Sequence, residues 1–408
     1  LCLKKKPGVN WGGSPPKKDA PPLKPKPARP PPGGPAPLDQ TPDQQRLPRI
    51  SPTPDREPIR RRAVGSAKGD KMRAQTFPDL PQMTDTQGDP RRCGVEIEFS
   101  GLTAEKVADI TTRILGGTAD QTDDHAFTIT GSEIGGIEVY LDTALRHADS
   151  SAVKAIGLDL GQAVIPVELV TEPLTLDQMA PLDRLRSALR EAGAEGSRAG
   201  LAYGFGVHFN PSLAARDTKS ITHPLLAYAL IEDWMRSAHP IDFSRKVLPF
   251  TDPYPTDLVR AFCDQGFVTP EAAADLYLRH ASGRNYGLDM LPIFAWMDKE
   301  DGTDKVADAL GDGSTSARPA FHFRLPDCRI DEEDWSLRGE WLRWLLVEEI
   351  AADEALLVKL MHGWEDAHGR VTLSRAPWAR RCGEILDEAG VPARTIARDK
   401  IKDEGEAA

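Results

Sequence analysis

The chain has 408 residues, 40% hydrophobic and 28% charged, with a formal net charge of -11, a balance that argues against a generally basic nucleic-acid-binding surface. Its five cysteines, Cys2, Cys93, Cys263, Cys328 and Cys382, lie far apart without a C-x-x-C pair; they fit a reducing compartment and give no support for a disulfide framework or a zinc knuckle. No apolar run is long enough to span a bilayer and no apolar stretch follows Lys4, Lys5 and Lys6, so no membrane span or secretory signal is expected and the cytoplasm is the expected location.

In chain order, residues 1–84 form a tail rich in Pro, Lys and Arg, which cannot bury enough apolar surface to offset its chain entropy and is expected to be disordered. The opening Leu, in place of Met, fits a fragment or an over-extended reading frame, so part of this tail could be an artefact. A folded region is expected over 85–370, followed by a helical extension over 371–408. TAEKVADITTRILGG (103–117) has helical spacing, a Thr at the N-cap and a Gly pair at the stop. FTITGSEIGGIEVYLD (127–142) predicts two strands about a Gly-rich turn. A strand over VIPVELVTEP (164–173) precedes a helix over 177–193, with its start near Pro181. GFGVHFNP (204–211) predicts a strand, PLLAYALIEDWMRSA (224–238) a helix buried on most sides, and RPAFHFRLPD (318–327) another strand. The spacing then predicts one long helix over 333–357, in which Trp335, Trp341 and Trp344 serve as core. No Gly-rich phosphate loop follows any strand, so a nucleotide site would have to be built another way.

GVEIEF (94–99) sets Glu96 and Glu98 between Val95, Ile97 and Phe99. On a strand, side chains two apart share a face, about 6.5 to 7 Å from each other. The apolar three then face a core and the carboxylates project together to the opposite side. The same alternation recurs at Val207–His208–Phe209–Asn210, at Phe321–His322–Phe323–Arg324, at Ile137 to Asp142, and at Val167–Glu168–Leu169. Any one strand reads as an amphipathic antiparallel strand with a wet face. The set is different, because Glu, His, Asn and Arg replace the Lys, Thr, Ser and Gln of a merely solvated face. Carboxylates side by side repel unless cations sit between them, and an Arg in the same cup suits a phosphoryl group.

These segments, with LDTAL (141–145), VELVTEPL (167–174) and SGRNYGLDML (282–291), resemble in order the amidoligases of the glutamine synthetase / glutamate–cysteine ligase superfamily of ATP-dependent carboxylate–amine ligases. The resemblance implies an α+β fold: a curved antiparallel sheet whose concave face carries the active site, with helices on the other side. It also implies that Glu96 and Glu98 bind the divalent cations, Mg²⁺ or Mn²⁺, that hold ATP. Glu168 becomes a further metal ligand and His208 a ligand of the metal bridging the phosphates. Where the family carries Glu-Phe-Arg, this chain has His322-Phe323-Arg324. Arg324 keeps the γ-phosphate role, while His322, an imidazole in place of a carboxylate, still serves as a metal ligand but leaves the number and kind of metals in question. Arg284, Asn285 and Asn210 are expected to contact nucleotide or substrate.

The expected function is ATP- and Mg²⁺-dependent ligation of a carboxylate to an amine through an acyl phosphate, giving an amide or isopeptide bond. Asp142 and Glu172 are candidates, by position, for accepting the amine's proton. A small amino acid, a peptide, a cell-wall fragment and a protein side chain all stay open as acceptor, with no nucleic-acid or membrane partner expected. A metal-dependent hydrolase using the same cup, or a non-catalytic nucleotide-binding relative, is the alternative. On the residues alone, His208 also reads as a hydrogen-bonded structural histidine, Asp142 as a helix cap, Arg324 as a partner of Asp327, and Cys93 and Cys328 as packing.

Overall fold

A computed structural model describes residues 76–141, 166–197, 204–240, 251–281, 283–311, 315–368 and 374–391. Residues 1–75 of the expected tail, Asp142 and the LDTAL segment beyond Leu141 lie outside the described residues. Eight strands make one open antiparallel sheet: β1 (Cys93–Phe99), β2 (Thr118–Asp123), β3 (Ala126–Ser132), β4 (Gly135–Leu141), β5 (Val167–Thr171), β6 (Val207–Pro211), β7 (Leu288–Asp289) and β8 (His322–Phe323), in the order β2-β3-β4-β5-β1-β6-β8-β7. Ten α-helices accompany it among the described residues: α1 (Ala104–Leu115), α2 (Leu176–Glu191), α3 (His223–Ala238), α4 (Thr256–Gln265), α5 (Pro270–His280), α6 (Leu291–Asp301), α7 (Lys305–Leu310), α8 (Leu337–Ala351), α9 (Glu354–Ala367) and α10 (Ala376–Glu388). None of them is long and apolar enough to cross a membrane.

The alternation places one side of every central strand in the core. Val95, Ile97, Phe99, Ile137, Val139, Val167, Leu169, Val207, Phe209, Phe321 and Phe323 are all buried. Helix α1 packs on β2, β3 and β4, with α2 against it and against α8, while α8 and α3 meet β6 and β8 through aromatic contacts. Trp341 lies 6.0 Å from Phe209 by ring centroids, Trp344 lies 4.8 Å from Phe321 and 5.7 Å from Phe323, and Tyr228 of α3 stands 6.1 Å from Phe323. The three tryptophans of this segment are core, as their spacing predicts. Phe77 and Leu80 are buried too, and Trp341 donates to the Pro78 carbonyl, so the packed chain includes residues ahead of position 85.

Local chemistry explains most of the ends. Thr103 accepts from the Lys106 N–H and caps α1, which stops at Gly116 with φ 73°. Helix α2 starts at Leu176 and not near Pro181: Gln178 accepts from the Thr175 N–H, fixing an earlier first turn, and Pro181 is carried inside. The single helix expected over 333–357 is two. Ser336 caps α8, and Asp353 accepts from the Leu356 N–H to start α9 afresh after a break at Ala352. The strand expected over 318–327 narrows to His322–Phe323 with isolated bridges at Ala320 and Asp327.

A buried fork joins the start of β1 to α8. Arg91 donates to both carboxylate oxygens of Glu348 at 2.7 Å, to Ser212 O at 2.8 Å and to Gln82 O at 3.0 Å. Beside β7, Tyr228 and Arg236 donate to Oε1 of buried Glu232, and the Tyr254 N–H donates to its other oxygen. Gly287 fits here because an added Cβ would fall 2.1 Å from the Tyr228 hydroxyl, and its carbonyl accepts from the Arg324 N–H at 2.7 Å.

Candidate active site

Strand register brings the polar side chains into rows on the face away from the core. One row runs Asp120, Thr128, Glu138, Val170, Glu96, His208, each opposite the next on the adjoining strand. A second runs Tyr140, Glu168, Glu98. At the far end Asp289 of β7 faces His322 of β8. Because Phe209 pairs with Phe323, the antiparallel register sets Asn210 toward His322 and His208 toward Arg324.

Glu96 is the hub. Its Oε2 accepts from His208 Nδ1 at 3.0 Å, its Oε1 accepts from Asn210 Nδ2 at 2.9 Å, and Arg318 Nη2 stands 3.7 Å from Oε1. Arg318 also donates to Asn210 Oδ1 at 2.9 Å, so the amide is oriented from both ends. Burial opposes ionisation of Glu96, but the hydrogen bond from His208 and the nearby charge of Arg318 overcome it and hold the carboxyl well below the usual carboxylate range.

His322 completes the cup. Its ring meets that of His208 edge-on at 5.2 Å, and its Nδ1 lies 3.6 Å from Asp289 Oδ2. Both ring nitrogens are buried and make no hydrogen bond. Burial pushes the His322 ring down to about 3 against the pull of Asp289 and Glu96, so the imidazole is neutral at neutral pH. Glu96, His208 and His322 each offer one ligand atom, and these three atoms lie within 4.8 Å of one another.

The other expected residues divide into near and far. Glu98 accepts from the Gly206 N–H at 2.9 Å, with its Oε1 3.9 Å from His208 Nε2. Glu168 sits opposite Glu98 and is buried. Arg324 donates to the Arg284 carbonyl at 2.7 Å, which ties the loop before β7 to β8, and Arg284 Nε lies 3.9 Å from Asp289 Oδ2. Asn285 is exposed on that loop, its carbonyl accepting from the Asp252 N–H. Glu172 leans away from β1: it accepts from the Gly136 N–H at 3.0 Å, over β4, where together with burial its charge raises the Glu138 carboxyl above its ordinary value. Asp142 is outside the described residues. Burial pushes the Cys93 thiol far up, so it is an inert packing residue, and Cys328 is buried as well.

Two site residues escaped the sequence reading. Asp289, fully buried, is the polar residue of the GLDML stretch, and Arg318 stands four residues before His322 on the same alternation. The signal existed in the i, i+2 spacing: Arg318 opens the strand expected over 318–327, whereas β7 has only two residues, so Asp289 does not look like part of a strand.

The donors sort by chemistry. Two imidazoles and one carboxylate fit a divalent ion that accepts nitrogen, whereas Mg²⁺ prefers an all-oxygen octahedron. Glu98 and Glu168 offer oxygen only. Arg284, Arg318 and Arg324 give the same face guanidinium groups of the kind that pair with phosphates.

The family described as "Putative amidoligase enzyme" matches residues 89–346, which include every strand of the sheet. No curated protein and no solved structure gives a significant match.

Proposed function

As this chain belongs to the amidoligase family, we propose that it is an ATP- and divalent-cation-dependent carboxylate–amine ligase whose reaction proceeds through an acyl phosphate. The convergence of Glu96, His208 and His322 beside Arg318 and Arg324 carries this reading. We also read the sheet as the glutamine synthetase-like kind, its polar face concave, within a catalytic unit over 85–370, extended by the packed residues just ahead of it, Phe77 and Leu80.

In this reading Glu96, His208 and His322 would hold the divalent ion, with Glu98 and Glu168 beside them, and the ion when bound supplies neutralisation of phosphate charge. Arg324, fastened by Arg284 O, stabilises the phosphoryl group in flight. Arg284 and Asn285 on the same loop contact the nucleotide. Asn210, held between Arg318 and Glu96, orients the reacting groups. The substrate carboxylate gains the γ-phosphoryl group; an amine then attacks the acyl carbon and expels phosphate. The amine's proton passes to a carboxylate on this face, and Glu172, which is exposed, is the candidate.

Hydroxylamine serves as a general amine for the test. The protein is incubated with ATP, Mg²⁺ or Mn²⁺, hydroxylamine, and a panel of amino acids and short peptides. Hydroxamate and ADP in equal amounts are expected with at least one acid. ADP production that ignores both acid and amine contradicts the ligase reading and supports the hydrolase.

A further inference from the structure

We propose that Glu96, His208 and His322 form a site selective for a nitrogen-accepting divalent ion of the Mn²⁺, Co²⁺ and Zn²⁺ class over Mg²⁺. This rests on reading the cup as a metal site and not on the ligation chemistry.

Three observations carry it. The converging donors are one carboxylate oxygen and two imidazole nitrogens, all within 4.8 Å. Mg²⁺ sheds water reluctantly and takes oxygen ligands, so this set gives it one preferred donor, while first-row transition ions accept all three. The second observation is that the set holds a single carboxylate, Glu96, with Arg318 3.7 Å from its Oε1, so the preference rests on the two imidazole nitrogens and not on charge.

The third observation is the support behind the rings. Asp289 Oδ2 lies 3.6 Å from His322 Nδ1, and Asp289 is itself pinned by the Leu291 N–H donating to its Oδ1 at 3.0 Å. A carboxylate behind one imidazole nitrogen orients the ring and leaves the other nitrogen to a metal. His208 Nδ1 donates instead to Glu96 Oε2 at 3.0 Å, so a member of the set itself orients that ring and in the neutral imidazole leaves the lone pair on Nε2. His322 alone is backed by a carboxylate from outside the set.

The test uses the full-length chain stripped of metal and loaded with Mn²⁺ alone, read by pulsed electron paramagnetic resonance. Nitrogen modulation from two imidazoles is expected, with Mn²⁺ bound tighter than Mg²⁺ by about tenfold or more in competition. The His322→Glu variant is expected to lose one nitrogen coupling and most of the preference for Mn²⁺. Mn²⁺ bound without nitrogen coupling, Mn²⁺ displaced by an equal concentration of Mg²⁺, or no Mn²⁺ binding would each overturn the proposal on the wild-type chain alone. Because no nucleotide, acid or amine is present, the outcome is separate from that of the hydroxamate assay.

Discussion

Glu96 on β1 and His208 on β6 are register partners, and their side chains meet at 3.0 Å, carboxylate oxygen to imidazole Nδ1. The contact joins neighbouring strands at the middle of the sheet and defines the floor of the cup. Glu96→Gln keeps the shape and the hydrogen bond from Asn210 while removing the charge. Its expected effect is a loss of about 10²- to 10³-fold in turnover, as for other electrostatic groups at a reacting centre. The variant's unfolding midpoint should stay close to that of wild type. Turnover within a few-fold of wild type would remove Glu96 from the chemistry.

Asp289 acts through His322 as a positioning residue. Asp289→Asn retains the volume and removes the charge facing Nδ1, and a drop of about 10- to 100-fold in divalent-metal affinity is expected. Titration of metal alone against the variant measures it. A merely structural role would lower the unfolding midpoint and leave metal affinity unchanged.

The Arg91–Glu348 fork makes a stability prediction away from the site. Replacing Glu348 by Gln leaves the Arg91 guanidinium buried without its counter-charge, and a cost of about 3–5 kcal/mol is expected in denaturant unfolding. The paired change Arg91→Met with Glu348→Leu should cost less than either single change, because no charge is left buried.

Acid should destabilise the fold through buried histidines. Burial lowers His223 and His368 from the ordinary value, against hydrogen bonds to the Ala351 and Trp364 carbonyls that raise them. In the unfolded chain the same rings take up protons near about 6.5, so below that pH the unfolded state binds more protons and stability falls with pH. Urea midpoints at pH 7.5 and 5.5 check the sign, and the slope should flatten in a His223→Gln, His368→Gln double variant. A midpoint that rises on acidification contradicts it.

How far these features were legible depends on the length of each strand. In β1 and β6, five or more residues alternate, so the side on which Glu96, Glu98, His208 and Asn210 fall follows from spacing alone. The edge strand β2, TADQTD, is nearly all exposed and carries no apolar beat, so nothing in its spacing predicts a strand. Asp289 reaches the cup only because tertiary pairing brings β7 alongside β8, which no local period reports, whereas Arg318 lies on the alternation of the strand expected over 318–327. Glu172 shows the opposite limit: its side of β5 was readable, but its lean toward Gly136 depends on a missing side chain on the neighbouring strand. The break between α8 and α9 was written in Asp353, whose capping role was masked by the apolar spacing on both sides.

The most direct test of the ligase reading follows one oxygen atom. An acid that gives hydroxamate is labelled with ¹⁸O in its carboxylate and turned over with ATP and hydroxylamine, and the released phosphate is analysed by mass. Transfer of the carboxylate to phosphorus and expulsion by the amine predict one ¹⁸O in the phosphate formed with each amide bond. Phosphate without the label would mean that water, and not the substrate acid, attacks the nucleotide.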